Sequence, residues 1–134
     1  MRKLQEHRTG RHCIFNLNVH LVFVTKHRRC VFEKKHIDFL RSVMKKVCLD
    51  FETELIEMNG EEDHVHLLVN IPPKHAVSKL VNSLKGVSSR LFAKEFGVVH
   101  PYFWKGVLWT KAYFASSTGG ATLDVVKNYI NNQS

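Results

Sequence analysis

Residues 63–71, DHVHLLVNI, decide how this chain is read. As a strand, alternation puts His64, His66, Leu68 and Asn70 on one side and Val65, Leu67, Val69 and Ile71 on the other. The second set is wholly apolar and reads as core. The first set places two imidazoles two residues apart, pointing the same way, in an apolar strand.

Working outward, Pro72-Pro73 ends this strand, because proline cannot donate to a ladder. Upstream, Thr53 to Met58 reads as another strand, Asn59-Gly60 is a turn signal, and the polar EED after it suggests a loop longer than two residues. Residues 33–50 carry Ile37, Leu40, Val43, Met44 and Val47 at helical spacing. Before that helix, CIFNLNVHLVFVTK alternates: Phe15, Leu17, Val19, Leu21 and Phe23 share one face of a long strand, with Asn16, Asn18 and His20 on the other. KHRR follows as a basic loop, and residues 1–11 form a basic, mobile arm.

Downstream, residues 76–96 form a second helix with Val77, Leu80, Val81, Leu84, Val87, Leu91 and Phe92 as its apolar stripe. Gly106 to Phe114 reads as a fourth strand. SSTGG, residues 116–120, is a joint, and residues 121–133 form a last amphipathic helix. The order is strand, helix, strand, strand, helix, strand, then an extra helix. That is an α+β chain of the ferredoxin-like or RRM-like plan, an antiparallel sheet flanked by helices. Its other sheet face must be covered or used, as RNA-binding domains of this plan use it.

At 134 residues the chain is expected to be one domain, 1–134. The net charge of +8 favours a polyanionic partner, nucleic acid before acidic membrane. The three cysteines, Cys13, Cys30 and Cys48, form no CxxC pair and read as reduced thiols. Apolar stretches fall far short of the roughly 20 residues a membrane span needs, and no signal peptide is evident. The expected location is the cytoplasm.

Two His at i and i+2 on a strand can share one divalent cation. They can equally be sheet-face residues bonded to neighbours, the commoner case for an isolated H-x-H. Two ligands do not complete a metal site. On the last helix Tyr129 and Gln133 are four apart and share a face, beside an apolar stripe of Leu123, Val126 and Ile130. Two imidazoles and a Gln oxygen would leave positions on Mg²⁺ or Mn²⁺ open for phosphate oxygens. Taken alone, Tyr129 is equally an amphipathic tyrosine at a helix–sheet boundary.

DHVHLLV, followed about 60 residues later by VVKNYINNQ behind a Gly-Gly joint, resembles the single-tyrosine HUH transposases of insertion sequences that move as single-stranded DNA, REP-associated tyrosine transposases included. SLKGVSSRLF resembles the second helix of that family, and FNLNVHLVFVTKHRR its first strand and loop. The resemblance covers residues 12–133. It implies Tyr129 as nucleophile, on the extra C-terminal helix, and His64, His66 and Gln133 as ligands of Mg²⁺ or Mn²⁺. It also implies a homodimer that recognises hairpins in single-stranded DNA, cuts one strand and becomes joined to it through a 5′-phosphotyrosine. Lys26, Arg28 and Arg29, with Lys79, Lys85 and Arg90, are the candidate DNA contacts, beside Phe103, Trp104 and Trp109 as stacking platforms. Each charge alone is most often a solvated surface group, and either Trp can be core. Two alternatives stay open: an inactive ferredoxin-like nucleic-acid-binding module, and a domesticated relative acting on host repeats.

Overall fold

The structure is a computed structural model, and it describes residues 7–97 and 107–117. Its centre is a four-stranded antiparallel sheet built from β3 (Asn18–Thr25), β4 (Glu54–Glu61), β5 (His64–Asn70) and β6 (Trp109–Ser117), in the order β4-β5-β3-β6. Two helices, α1 (Lys34–Asp50) and α2 (Val77–Phe96), connect the strands. This is the ferredoxin-like order expected from the sequence. A separate hairpin of β1 (Arg8–Gly10) and β2 (Cys13–Phe15) precedes it.

Both helices cover one sheet face. Ile37, Leu40, Met44 and Val47 of α1 and Leu80, Val81, Leu84 and Phe92 of α2 bury against Leu21, Phe23, Val65, Leu67 and Val69. The alternation read in β5 therefore divides the helix-covered core face from the opposite face, although all seven residues of β5 are buried. No helix among the described residues is long and apolar enough to cross a membrane.

Four local expectations change. The long first strand is two strands, because β2 leaves the sheet to pair with β1 (Thr9 opposite Ile14). At the break, Leu17 is 46% exposed rather than core, and its carbonyl accepts from the Ile71 N–H at 3.0 Å. The basic arm is not mobile over residues 8–10. The Arg8 guanidinium lies over the Phe15 ring and donates to the Asn70 carbonyl, the Asn70 Oδ1 and the Glu52 carbonyl.

Asn59-Gly60 is strand rather than turn. The ladder runs on to Glu61 opposite His64, so the turn is the two residues Glu62 and Asp63. Gly60 serves close packing: a Cβ there would lie 2.7 Å from Ile37 Cδ1 and 2.8 Å from the His64 carbonyl oxygen. The fourth strand starts later and extends to Ser117, since β3 offers partners as far as Val19 and β6 carries extra residues between the pairs Phe23–Tyr113 and Thr25–Trp109. The Gly119-Gly120 joint, the last helix, Tyr129, Gln133, Phe103 and Trp104 lie outside the described residues.

Candidate active site on the open sheet face

His64 and His66 stand on the face away from the helices. His64 is flanked by Val24 of β3 and Glu61 of β4; His66 is flanked by Val22 and Asn59. Both rings are withdrawn from solvent, at 4% and 9% exposure, although they lie outside the main core. Their ring centroids are 6.4 Å apart, with planes inclined by 32°. His64 Nδ1 lies 2.8 Å from Asp63 Oδ1, while His64 Nε2 is buried and finds no hydrogen-bond partner among the described residues. A buried nitrogen left without a partner costs about 1–3 kcal/mol, so the site holds something in reserve for it.

That donor set fits a divalent cation. Two imidazoles at neighbouring positions on one ion, with metal–nitrogen bonds of about 2.1 Å, have centroids about 5 Å apart. The observed rings would close by about 1.4 Å to reach that spacing, within the range of side-chain rotation. Among the described residues no group of three His, Cys, Asp or Glu side chains is poised around an ion, so further ligands must come from another residue type or from elsewhere.

The neighbouring loop is rigidly built. After β3, Lys26–Arg28 make one 3-10 turn, and His27 and Arg28 both adopt left-handed backbone (φ 60° and 53°). Two such non-glycine residues cost about 1 kcal/mol or more each, and surrounding bonds must hold them. They do: Lys26 N–H donates to the Leu108 carbonyl, and the Thr25 hydroxyl to the Arg29 carbonyl. The result brings Arg28 Nη2 within 3.4 Å of Asp63 Oδ2. Arg28, Asp63 and His64 line a cleft of about 700 Å³ together with Cys30, Asn59 and Arg41.

Of the candidate DNA contacts, only the group Lys26, Arg28 and Arg29 lies at the His end of the sheet. Lys79, Lys85 and Arg90 sit on α2, across the sheet from the His pair. Lys79 and Arg90 are exposed. Lys85 is half-buried, donates to the Thr110 and Lys111 carbonyls at 2.7 and 2.8 Å, and lies 5.9 Å from the Tyr113 ring centroid. Burial lowers its pKa from the ordinary lysine value. Lys85 thus ties α2 to β6. Trp109 is core: it packs on Phe23 and Phe32, and its indole N–H donates to the Ser88 hydroxyl.

Sequence reasoning gave no role to Asp63, although it sits directly before His64. It also missed the network at the opposite end of β5, where the Asn70 amide donates to the Asn16 and Asn18 side-chain oxygens at 3.1 and 2.9 Å. The signal was present: Asn70 shares its strand face with both histidines, and a polar side chain there needs partners. His20 lies on this face too, and burial lowers its pKa while Glu57 partly opposes the shift.

Residues 13–133 match the family model described as "Transposase IS200 like". The chain belongs to the IS200-like transposases. The transposase for insertion sequence element IS200 of Salmonella typhimurium is 30% identical over 122 residues, 91% of this chain and 80% of the relative. The ISDra2 transposase TnpA of Deinococcus radiodurans is 29% identical over 128 residues, 96% and 91% of the two chains. A solved Deinococcus radiodurans R1 chain assigned to the transposases superposes with a TM-score of 0.84 at 29% identity, covering 94% of this chain and 97% of that one. A REP-associated tyrosine transposase, solved bound to a REP hairpin, has a TM-score of 0.58 at 13% identity, over 92% and 68% of the two chains. That last likeness is one of fold. The resemblance read from the residues holds, and this IS200-like transposase is an enzyme of DNA transposition.

Proposed function

We propose that this IS200-like transposase cleaves and rejoins single-stranded DNA at hairpin-bearing element ends by tyrosine transesterification. The observation that carries the reading is the buried, unpartnered Nε2 of His64 beside His66. A nitrogen kept from both water and protein is what a cation site needs. His64, His66 and, from the last helix, Gln133 would hold Mg²⁺ or Mn²⁺. A bound cation withdraws charge from the scissile phosphate and orients it.

The remaining chemistry belongs to the chain. Tyr129 Oη attacks phosphorus in line. The new bond is tyrosine oxygen to phosphorus, and the bond that breaks is phosphorus to the 3′ oxygen, which leaves as a 3′-OH. The phenol must lose its proton as the 3′ oxygen gains one. At a free pKa of about 10 only about one phenol in a thousand is ionised at pH 7, so deprotonation is assisted. The 5′-phosphotyrosine keeps the bond energy, and a second 3′-OH can reverse the attack without ATP. Water as nucleophile would spend that energy irreversibly.

One His pair and one suitable tyrosine per chain, with a Gly-Gly joint between them, support a homodimer in which Tyr129 serves the partner subunit's His pair. Arg28 and its neighbours at the His end of the sheet would guide the strand. The cytoplasmic nucleoid of a prokaryotic cell is the corresponding location.

The test is incubation of labelled single-stranded element ends with Mg²⁺ or Mn²⁺, resolved on denaturing gels. Wild-type protein should give a cleaved strand and a protein-linked strand. His64→Ala and His66→Ala should give neither while still binding the hairpin. Full cleavage by the double variant in chelator would overturn the metal reading; binding without any adduct from wild-type protein would favour an inactive module. Mixing Tyr129→Phe with His64→Ala subunits should restore adduct if the site is shared between chains.

A further inference from the structure

We infer that Asp63 is the positioning residue for this site: it fixes His64 as the Nδ1–H tautomer and so turns the Nε2 lone pair into the space shared with His66. The inference deepens the metal-dependent reading and rests on it. An ionised carboxylate accepts hydrogen bonds and cannot donate them, so the 2.8 Å contact between Asp63 Oδ1 and His64 Nδ1 requires the hydrogen on Nδ1. The opposite tautomer would press the Nδ1 lone pair against the carboxylate and bury an Nε2–H donor where the described residues offer no partner.

Asp63 is held through both its carboxylate and its backbone. Arg28 Nη2 approaches Asp63 Oδ2 at 3.4 Å. The Asp63 carbonyl accepts from the Thr25 N–H at 2.9 Å. The other turn residue, Glu62, accepts on its carbonyl from the N–H groups of Val31 and Phe32, each at 2.9 Å. The tight two-residue turn is thus fastened to the loop between β3 and α1. The backbone of Asp63 is thereby fixed, and its carboxylate is set against His64 with Arg28 on its other oxygen. A ligand imidazole needs this kind of partner, because the nitrogen facing away from the metal decides which tautomer faces it.

The test uses the full-length, metal-free, ¹⁵N-labelled protein. Long-range ¹H–¹⁵N correlation spectra at pH 7.5 report which ring nitrogen carries the hydrogen, and His64→Ala assigns the signals. Wild-type His64 should be the Nδ1–H tautomer. Asp63→Ala should shift it towards Nε2–H, the form a free neutral imidazole favours. Asp63→Asn, whose amide oxygen still accepts, should keep Nδ1–H. Mn²⁺ affinity, measured by calorimetry, should fall about 10- to 100-fold in Asp63→Ala and less in Asp63→Asn.

A wild-type Nε2–H tautomer, or an unchanged ring in folded Asp63→Ala, would overturn the assignment. The wild-type spectrum decides by itself if Asp63→Ala does not fold. Nδ1–H in a protein that binds no Mn²⁺ would support the role of Asp63 on the ring and remove the metal reading. Tight Mn²⁺ binding with the opposite tautomer would do the reverse.

Discussion

Replacing Asn70 by Ala should unfasten the far end of the His strand. Asn70 is fully buried, and its side chain makes three hydrogen bonds: it accepts from Arg8 at 2.8 Å and donates to Asn16 and Asn18 at 3.1 and 2.9 Å. The two neutral bonds contribute about 1 kcal/mol each, and the charge-assisted one about 1.5–3 kcal/mol. Arg8 keeps its bonds to the Asn70 and Glu52 carbonyls, which recovers part of the last value. The net loss is therefore about 3 kcal/mol. For a chain of this length that lowers Tm by roughly 10 °C. Circular dichroism melts and urea titrations would measure it, with exposed Asn59→Ala as a control expected to stay within about 0.5 kcal/mol. Asn70→Asp should also destabilise, because it sets an acceptor against the Asn16 and Asn18 oxygens. A Tm within about 2 °C of wild type for Asn70→Ala would refute the network as an anchor of the N-terminal hairpin.

The pKa of His36 is held below the ordinary histidine value, first by burial and then by Lys35. A lowered folded-state value means that the unfolded chain binds the proton more readily. Its contribution should be fully present above about pH 6.5 and be lost as pH falls from there through the folded-state value; urea midpoints across pH 5–8 should show this, and His36→Gln should flatten the slope. Lys85→Met should lower Tm, since two β6 carbonyls lose their donor, yet leave the salt dependence of hairpin binding unchanged; a slope shallower by about 0.7–0.9 in log K against log salt would instead make Lys85 a phosphate contact. Gly60→Ala should cost about 1–3 kcal/mol, because its Cβ would meet the His64 carbonyl at 2.8 Å and backbone cannot step aside; thermal melts equal to wild type would contradict that packing.

The parts of the fold that were legible in the sequence are those where one face of one element is buried. The period of two in β5 reports which side meets the helices, though both its sides are buried; the period of 3.6 in α1 and α2 selects the buried stripe, with Val77, Val87 and Leu91 of α2 only half-buried. Periodicity does not say which partner a strand has. The run from Cys13 to Thr25 alternates throughout, yet β2 pairs with β1 and β3 pairs with β5 and β6. Asn59-Gly60 misled for a related reason: glycine marks a close approach as well as a turn, and here α1 comes close. The basic residues of α2 were legible as charges but not as positions, since only the packed sheet puts them across from the His pair. Asp63 was invisible as a partner of His64 until the tight turn fixed its carboxylate at 2.8 Å.

The covalent intermediate is read directly from the mass of the protein after reaction with a single-stranded hairpin end of defined sequence, followed by peptide mapping. Transesterification by Tyr129 should leave an added mass equal to the strand 3′ of the cut, joined through phosphate to Tyr129, present with Mn²⁺, abolished by chelator and absent in folded Tyr129→Phe protein. A cleaved strand with no covalent adduct, or an adduct that persists in Tyr129→Phe, would contradict it.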